Sequence, residues 1–84
     1  MNNVIARTKD VGATYEPLTA ESVVASGTLF APPTNDSDVY VLGDDGGDFP
    51  LSPGQWEHVV GVDLSCIRVK GSSGDALRFF GGTW

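Results

Sequence analysis

The chain is short of everything that usually staples a small domain. Cys66 is the only cysteine and His58 the only histidine, so an intrachain disulfide framework is excluded and no Cys/His array can hold a structural zinc. Basic residues are scarce too: five Lys and Arg stand against eleven Asp and Glu, for a net charge of −6. A nucleic-acid backbone is a poor partner for that surface, because neutralising phosphates takes a basic one. No apolar run approaches the ~18–20 residues of a membrane span, residues 1–12 lack the apolar core of a signal peptide, and there is no polybasic or amphipathic membrane segment. These absences predict a soluble chain made in a reducing cytosol, with neither nucleic acid nor membrane as partner.

At 84 residues the chain makes one domain, and folding at that size hides only roughly 60–65% of the surface the unfolded chain exposes. The core is therefore thin. With disulfides and zinc excluded, oligomerisation or docking on a larger assembly is the remaining way to hide more apolar surface. Eleven Gly and five Pro are high for a helical protein but below the level that signals disorder.

Almost half of the strong structural signals lie in residues 38–71. Val39-Tyr40-Val41-Leu42 is β-branched, aromatic and compact, a strong strand signal. The loop 43–48 carries three glycines able to take positive φ. Phe49-Pro50-Leu51 re-enters the core, and Pro50 confines that piece to an edge or a turn lead-in. Ser52-Pro53-Gly54 is type II turn chemistry. The run 55–62 alternates, with Trp56, His58, Val60 and Val62 predicted on the buried face. Asp63-Leu64-Ser65 turns the chain, and in residues 66–70 Ile67 and Val69 point inward while Cys66, Arg68 and Lys70 point outward. Residues 71–75 read as a hairpin loop before a last strand, 76–80.

Upstream, residues 21–30 fit a strand better than a helix, because Ser26-Gly27 would leave a helix less than two turns. Pro32-Pro33 and residues 34–38 are turn chemistry. Val4, Ile5 and Ala6 form one apolar patch within residues 1–12, which is either a first strand or an extended arm ordered against a neighbour. The sum is an all-β domain spanning 1–84: a small antiparallel sandwich or barrel, jelly-roll-like, of about seven short strands.

No constellation in the sequence specifies a reaction. Asp44, Asp45 and Asp48, with Asp36 and Asp38 nearby, supply carboxylates for calcium, yet their spacing is not that of an EF-hand and a solvated turn is the better reading. His58 is expected to pack rather than to catalyse or bind metal. Residues 71–74 look like a nucleophile elbow only until Asp75, which stands where that motif needs glycine. Cys66 would be a lowered-pKa thiol if exposed beside Arg68 and Lys70, but is expected to be packed against a neighbouring segment or subunit. No catalytic residue, cofactor or metal site is expected. Phe79 and Phe80 must face opposite ways on a strand, so one of them is expected to meet a partner.

Taken together, Asp38-Val39-Tyr40-Val41, Phe49-Pro50-Leu51-Ser52-Pro53-Gly54-Gln55, Asp63-Leu64-Ser65-x-Ile67-x-Val69-x-Gly71-Ser72 and Gly74-Asp75-x-Leu77-Arg78 resemble a family of small virion structural proteins of tailed bacteriophages. The resemblance covers residues 35–80, and its motifs are mainly strand and turn grammar. The chain departs from it at Leu42 and the acidic loop, at Asp48 before Phe49, and at Trp56, Cys66 and Arg68. The resemblance implies a compact β-domain that decorates the outer capsid, binds the major capsid protein and forms homo-oligomers, most often trimers. The contact elements expected are Val4, Ile5 and Arg7 of the N-terminal segment with Phe80 and Trp84 at the other end. A tail or fibre module binding a host glycan through Trp56 or Trp84 is the alternative.

Overall fold

A computed structural model describes residues 3–83. Eight strands and one short 3-10 turn account for its regular structure: β1 (Val4–Asp10), β2 (Glu16–Pro17), β3 (Val24–Phe30), β4 (Val39–Leu42), β5 (Asp48–Leu51), β6 (Trp56–Asp63), the turn Leu64–Cys66, β7 (Arg68–Lys70) and β8 (Ala76–Gly82). They form two four-stranded sheets, β1-β8-β3-β6 and β2-β7-β4-β5, and every pairing is antiparallel. In both sheets the pairs 1·8, 2·7, 3·6 and 4·5 are successive stretches of one long antiparallel ribbon wrapped on itself, which is the jelly-roll order. The fold is thus a sandwich rather than a barrel, and the two-residue β2 is the strand beyond the seven expected.

The open choice at the N-terminus resolves as a strand. β1 pairs with β8 along its whole length, from Val4 opposite Gly82 to Asp10 opposite Ala76, and Ile5 packs on the core. Beyond the strands, Thr83 N–H donates to the Asn3 carbonyl at 3.0 Å and Asn3 N–H to Thr83 Oγ1 at 2.8 Å. Residues 4–10 are therefore part of the sheet, and removing them would strip an edge from β8.

The core lies between the sheets. Phe79, Leu77, Leu29 and Ala25 project into it from the first sheet, Val39, Val69 and Leu51 from the second, and Val11, Leu18, Ala31, Leu64 and Ile67 close it from the connections. Phe79, only 1% exposed, is its largest member, and the backbone beneath it is shaped to receive it. Gly27 lies directly opposite Gly81, where a Cβ on Gly27 would stand 2.9 Å from the Phe79 ring and one on Gly81 2.6 Å from the Gly27 Cα. Only glycines let β3 and β8 approach this closely.

Local chemistry explains the turns. Gln55 N–H donates to the Ser52 carbonyl at 2.8 Å with Gly54 at φ 88°, the type II turn expected from Pro53-Gly54. Pro50 lies in β5, an edge strand, where its missing N–H removes no bond from a central ladder. In the acidic loop only Gly46 takes positive φ. Phe49 stays half exposed rather than entering the core.

Two larger expectations fail as well. Along β6 the face carrying Trp56, His58 and Val60 is the solvent face, with Trp56 60% and Val60 72% exposed, while Val59 and Val62 pack on the core. The cause is a β-bulge. Gly27 pairs with Val59 but Ala25 with Val62, so one residue of β3 faces two of β6 and the alternation inverts within the strand. Gly61, at φ 61°, absorbs it, and its N–H donates to Ser26 Oγ at 2.8 Å.

Residues 71–75, expected to be a hairpin loop, instead cross from β7 in one sheet to β8 in the other. Asp75, 3% exposed, accepts the backbone N–H groups of Asp36 at 2.9 Å and Ser37 at 3.1 Å. Asn35 completes the clamp, donating to the Ala76 carbonyl at 2.8 Å and accepting from Ala76 N–H at 3.0 Å. The two turn-rich stretches thus satisfy each other.

Candidate functional site

The outer face of the first sheet combines exposure with apolar character. The paired registers place residues in rows across it: Thr8, Arg78, Phe30 and Trp56 in one, Ala6, Phe80, Thr28 and His58 in the next, then Val4, Gly82 and Ser26. Val4 is 68% exposed and Phe80 65%, and with Trp56, Val60 and Val24 they account for five of the six large exposed hydrophobics among the described residues. By the same alternation the second sheet turns Tyr40, Leu42, Asp48, Pro50, Arg68 and Lys70 outward, a mixed face on which Lys70 Nζ sits 4.8 Å from the centre of the Tyr15 ring. The large exposed hydrophobics among the described residues are thus concentrated on one face of the sandwich.

A groove of about 460 Å³ runs along the apolar face, lined by Ser26, Gly27, Thr28, His58, Val60, Phe80 and Gly81. Its depth follows from side-chain size: Ser26, Thr28 and the two glycines make a low floor, while Phe80 stands on one side and His58 and Val60 on the other. The groove can receive an apolar side chain or edge from a partner and offers the Thr28 hydroxyl and the His58 imidazole for hydrogen bonds.

At one end of the face Asp63 organises the exit from β6. Its carboxylate accepts from the Ser22 hydroxyl, the Ser65 hydroxyl at 2.7 Å, Ser65 N–H at 3.0 Å and Val23 N–H at 3.3 Å, and so caps the 3-10 turn Leu64–Cys66. Those bonds, the Ser22 hydroxyl foremost, hold its carboxyl down at about 2 from the usual 3.8. The role is structural, tying residues 22 and 23 to the turn.

The expected contact residues divide. Val4 and Phe80 lie on the apolar face; Ile5 and Arg7, one register position away, lie on its reverse side, where Ile5 packs on the core and Arg7 pairs with Glu21 at 2.7 Å. Trp84 lies outside the described residues. Phe79 and Phe80 divide as the alternation requires, one buried and one exposed.

Among the described residues no group of three or more His, Cys, Asp or Glu side chains could hold a metal ion. Asp45 instead accepts from Gly47 N–H at 2.9 Å, local turn chemistry of the kind expected of a solvated loop. Cys66 is exposed rather than packed against a neighbouring segment of the chain. Val60 was not legible as a contact candidate, and Trp56 was named only for the glycan alternative, since their strand was read with its faces reversed; Gly61 inside an otherwise continuous strand pattern was the available signal of a bulge.

No helix among the described residues is long and apolar enough to cross a membrane. No family model, curated protein or solved structure matches the chain.

Proposed function

We propose that the chain is a non-enzymatic structural protein of a tailed-bacteriophage virion, of the decoration or cement kind, which lies on the outer capsid surface and bridges units of the major capsid protein. The observation that carries this reading is the apolar outer face of the first sheet, with Phe80 on the inner strand β8 beside the groove and Val4 at the start of the edge strand β1. The resemblance of residues 35–80 to small virion proteins supplies the virion context.

Magnitudes fit many weak contacts better than one strong one. Fully burying a wholly exposed large apolar side chain gains about 1.5–3 kcal/mol, and with Val4, Phe80, Trp56 and Val60 about two-thirds exposed the four together offer about 4–8 kcal/mol before costs. Association costs about 4–15 kcal/mol. A single copy is thus held modestly, and a shell gains from repetition and from linked copies.

The test is addition of purified protein to undecorated heads, with bound copies counted by mass spectrometry. Wild-type protein should bind at many sites per head and Phe80→Ser should bind at few. No binding to heads by the folded wild-type protein would overturn the reading. Trp56, exposed beside the hydroxyl and imidazole groups of the groove, favours the alternative of a tail or fibre module that stacks a host sugar. Glycan binding abolished by Trp56→Ala, with a few copies per virion, would establish that instead.

A further inference from the structure

The four sheet edges are not alike. Edge strands expose unpaired backbone groups, and natural proteins blunt them with charge, proline or brevity. β1 carries Arg7, Lys9 and Asp10; β2 is two residues long and ends in Pro17; β5 is four residues long and contains Pro50. β6 is eight residues long, has no proline, and carries Trp56, Val59, Val60 and Val62 with one carboxylate, Glu57, in its regular part. Among the described residues it is paired on one side only, to β3.

We infer that β6 pairs with β6 of a second copy of this chain, antiparallel about a two-fold axis at His58, joining the two first sheets into one of eight strands. The register follows from geometry. A two-fold axis normal to the sheet keeps outer faces outer, so directly opposed residues must share a face, and the sum of their numbers is even while the alternation is regular. Regular alternation runs from the start of β6 at Trp56 to Val60, where the bulge at Gly61 ends it. The pairing that uses all five positions is centred on His58.

In that register Trp56 stands opposite Val60 of the second copy and Glu57 opposite Val59. An aromatic beside a β-branched residue is a favourable cross-strand pair, and the two carboxylates avoid each other. The second copy is favoured over another protein's strand because this stretch is complementary to itself: the two large exposed apolar groups of the edge cover each other. One open edge per chain closes the assembly at two. The inference is independent of the capsid assignment; the trimer implied by the resemblance is its direct competitor.

Sedimentation of the full chain decides between them. The ladder is short and buries less than a standard interface of about 1,600 Å², so a weak dimer is expected, forming as concentration rises from about 5 to about 300 μM. The mass should climb from 8.8 kDa to twice that. Val60→Lys alone and Trp56→Glu alone should each hold the monomer at the highest concentration, and the double variant should restore the dimer, because the introduced carboxylate faces the introduced ammonium across the seam.

Opposed Cα atoms in an antiparallel pair lie about 4.5–5.5 Å apart, within disulfide reach. Thus His58→Cys in a Cys66→Ser background should cross-link to a dimer on mild oxidation. This readout and the wild-type mass do not depend on how the charged variants fold. A trimer, a monomer at every concentration, or a dimer that the cysteine at position 58 fails to lock overturns the inference. So does a double variant that stays monomeric while folded by circular dichroism.

Discussion

Asp75→Ala should cost about 2–4 kcal/mol of stability, a large share of a domain that at this length holds about 4–13 kcal/mol. The side chain is buried, and its two oxygens accept the N–H groups of Asp36 and Ser37. Truncation strands both donors under the loop, at about 1–3 kcal/mol for each unsatisfied group, less whatever water recovers. Asp75→Asn keeps one carbonyl oxygen and should lose about half as much. For a domain of this size each kcal/mol shifts Tm by about 4–8 °C, so the alanine variant should melt about 8–30 °C below wild type. Asn35→Ala removes the neighbouring pair of bonds to Ala76, and the double variant should lose less than the sum because both side chains dock one segment. Urea denaturation followed by tryptophan fluorescence measures all four. An Asp75→Ala variant within about 0.5 kcal/mol of wild type would refute the clamp.

Three further outcomes are expected. Gly81→Ala drives a Cβ into the Ser26 carbonyl and the Gly27 Cα and should destabilise by about 1–3 kcal/mol; a neutral result in thermal melts would mean that β3 and β8 are not so close. Phe79→Ala should cost about 3–5 kcal/mol, whereas Phe80→Ala should stay within about 0.5 kcal/mol, and equal losses in urea titrations would contradict the assignment of faces. Asp63 is lowered to about 2 from 3.8, so its bonds stabilise the folded state fully above the higher value and are lost as pH falls through the lower. The melting gap between wild type and Asp63→Ala should therefore close as pH drops toward 2; a gap constant across that range would count against the carboxylate bonds.

Much of the fold was readable because single residues constrain the backbone strongly. Pro50 placed its strand at an edge, Pro53-Gly54 named the turn, and consecutive Phe79 and Phe80 had to face opposite ways. What escaped was long-range. The docking of Asp75 beneath residues 36 and 37 joins positions 39 and 38 apart in sequence, and both stretches are equally good solvated turns when read locally. Residues 71–75 have hairpin composition, yet whether two flanking strands pair with each other or with others depends on the wrapping of the whole ribbon. In β6 a single inserted residue reversed the apparent faces, and that strand's share of the apolar surface went unseen with them, although Val4 and Phe80 were expected on it. The N-terminal segment was ambiguous for a related reason: its partner, β8, lies at the far end of the chain.

That last pairing also decides how the molecule would bear load. Asn3 and Thr83 are held side by side where β1 begins and β8 ends, so tension drawn through both ends acts across the ladder, not along it. The bonds would then open one after another, like a zip, at low force. Tension entering through the apolar face would instead be shared by four strands at once. Anchorage by a sheet face and by the chain ends are thus mechanically different attachments, and only the first spreads a pull over the whole sheet.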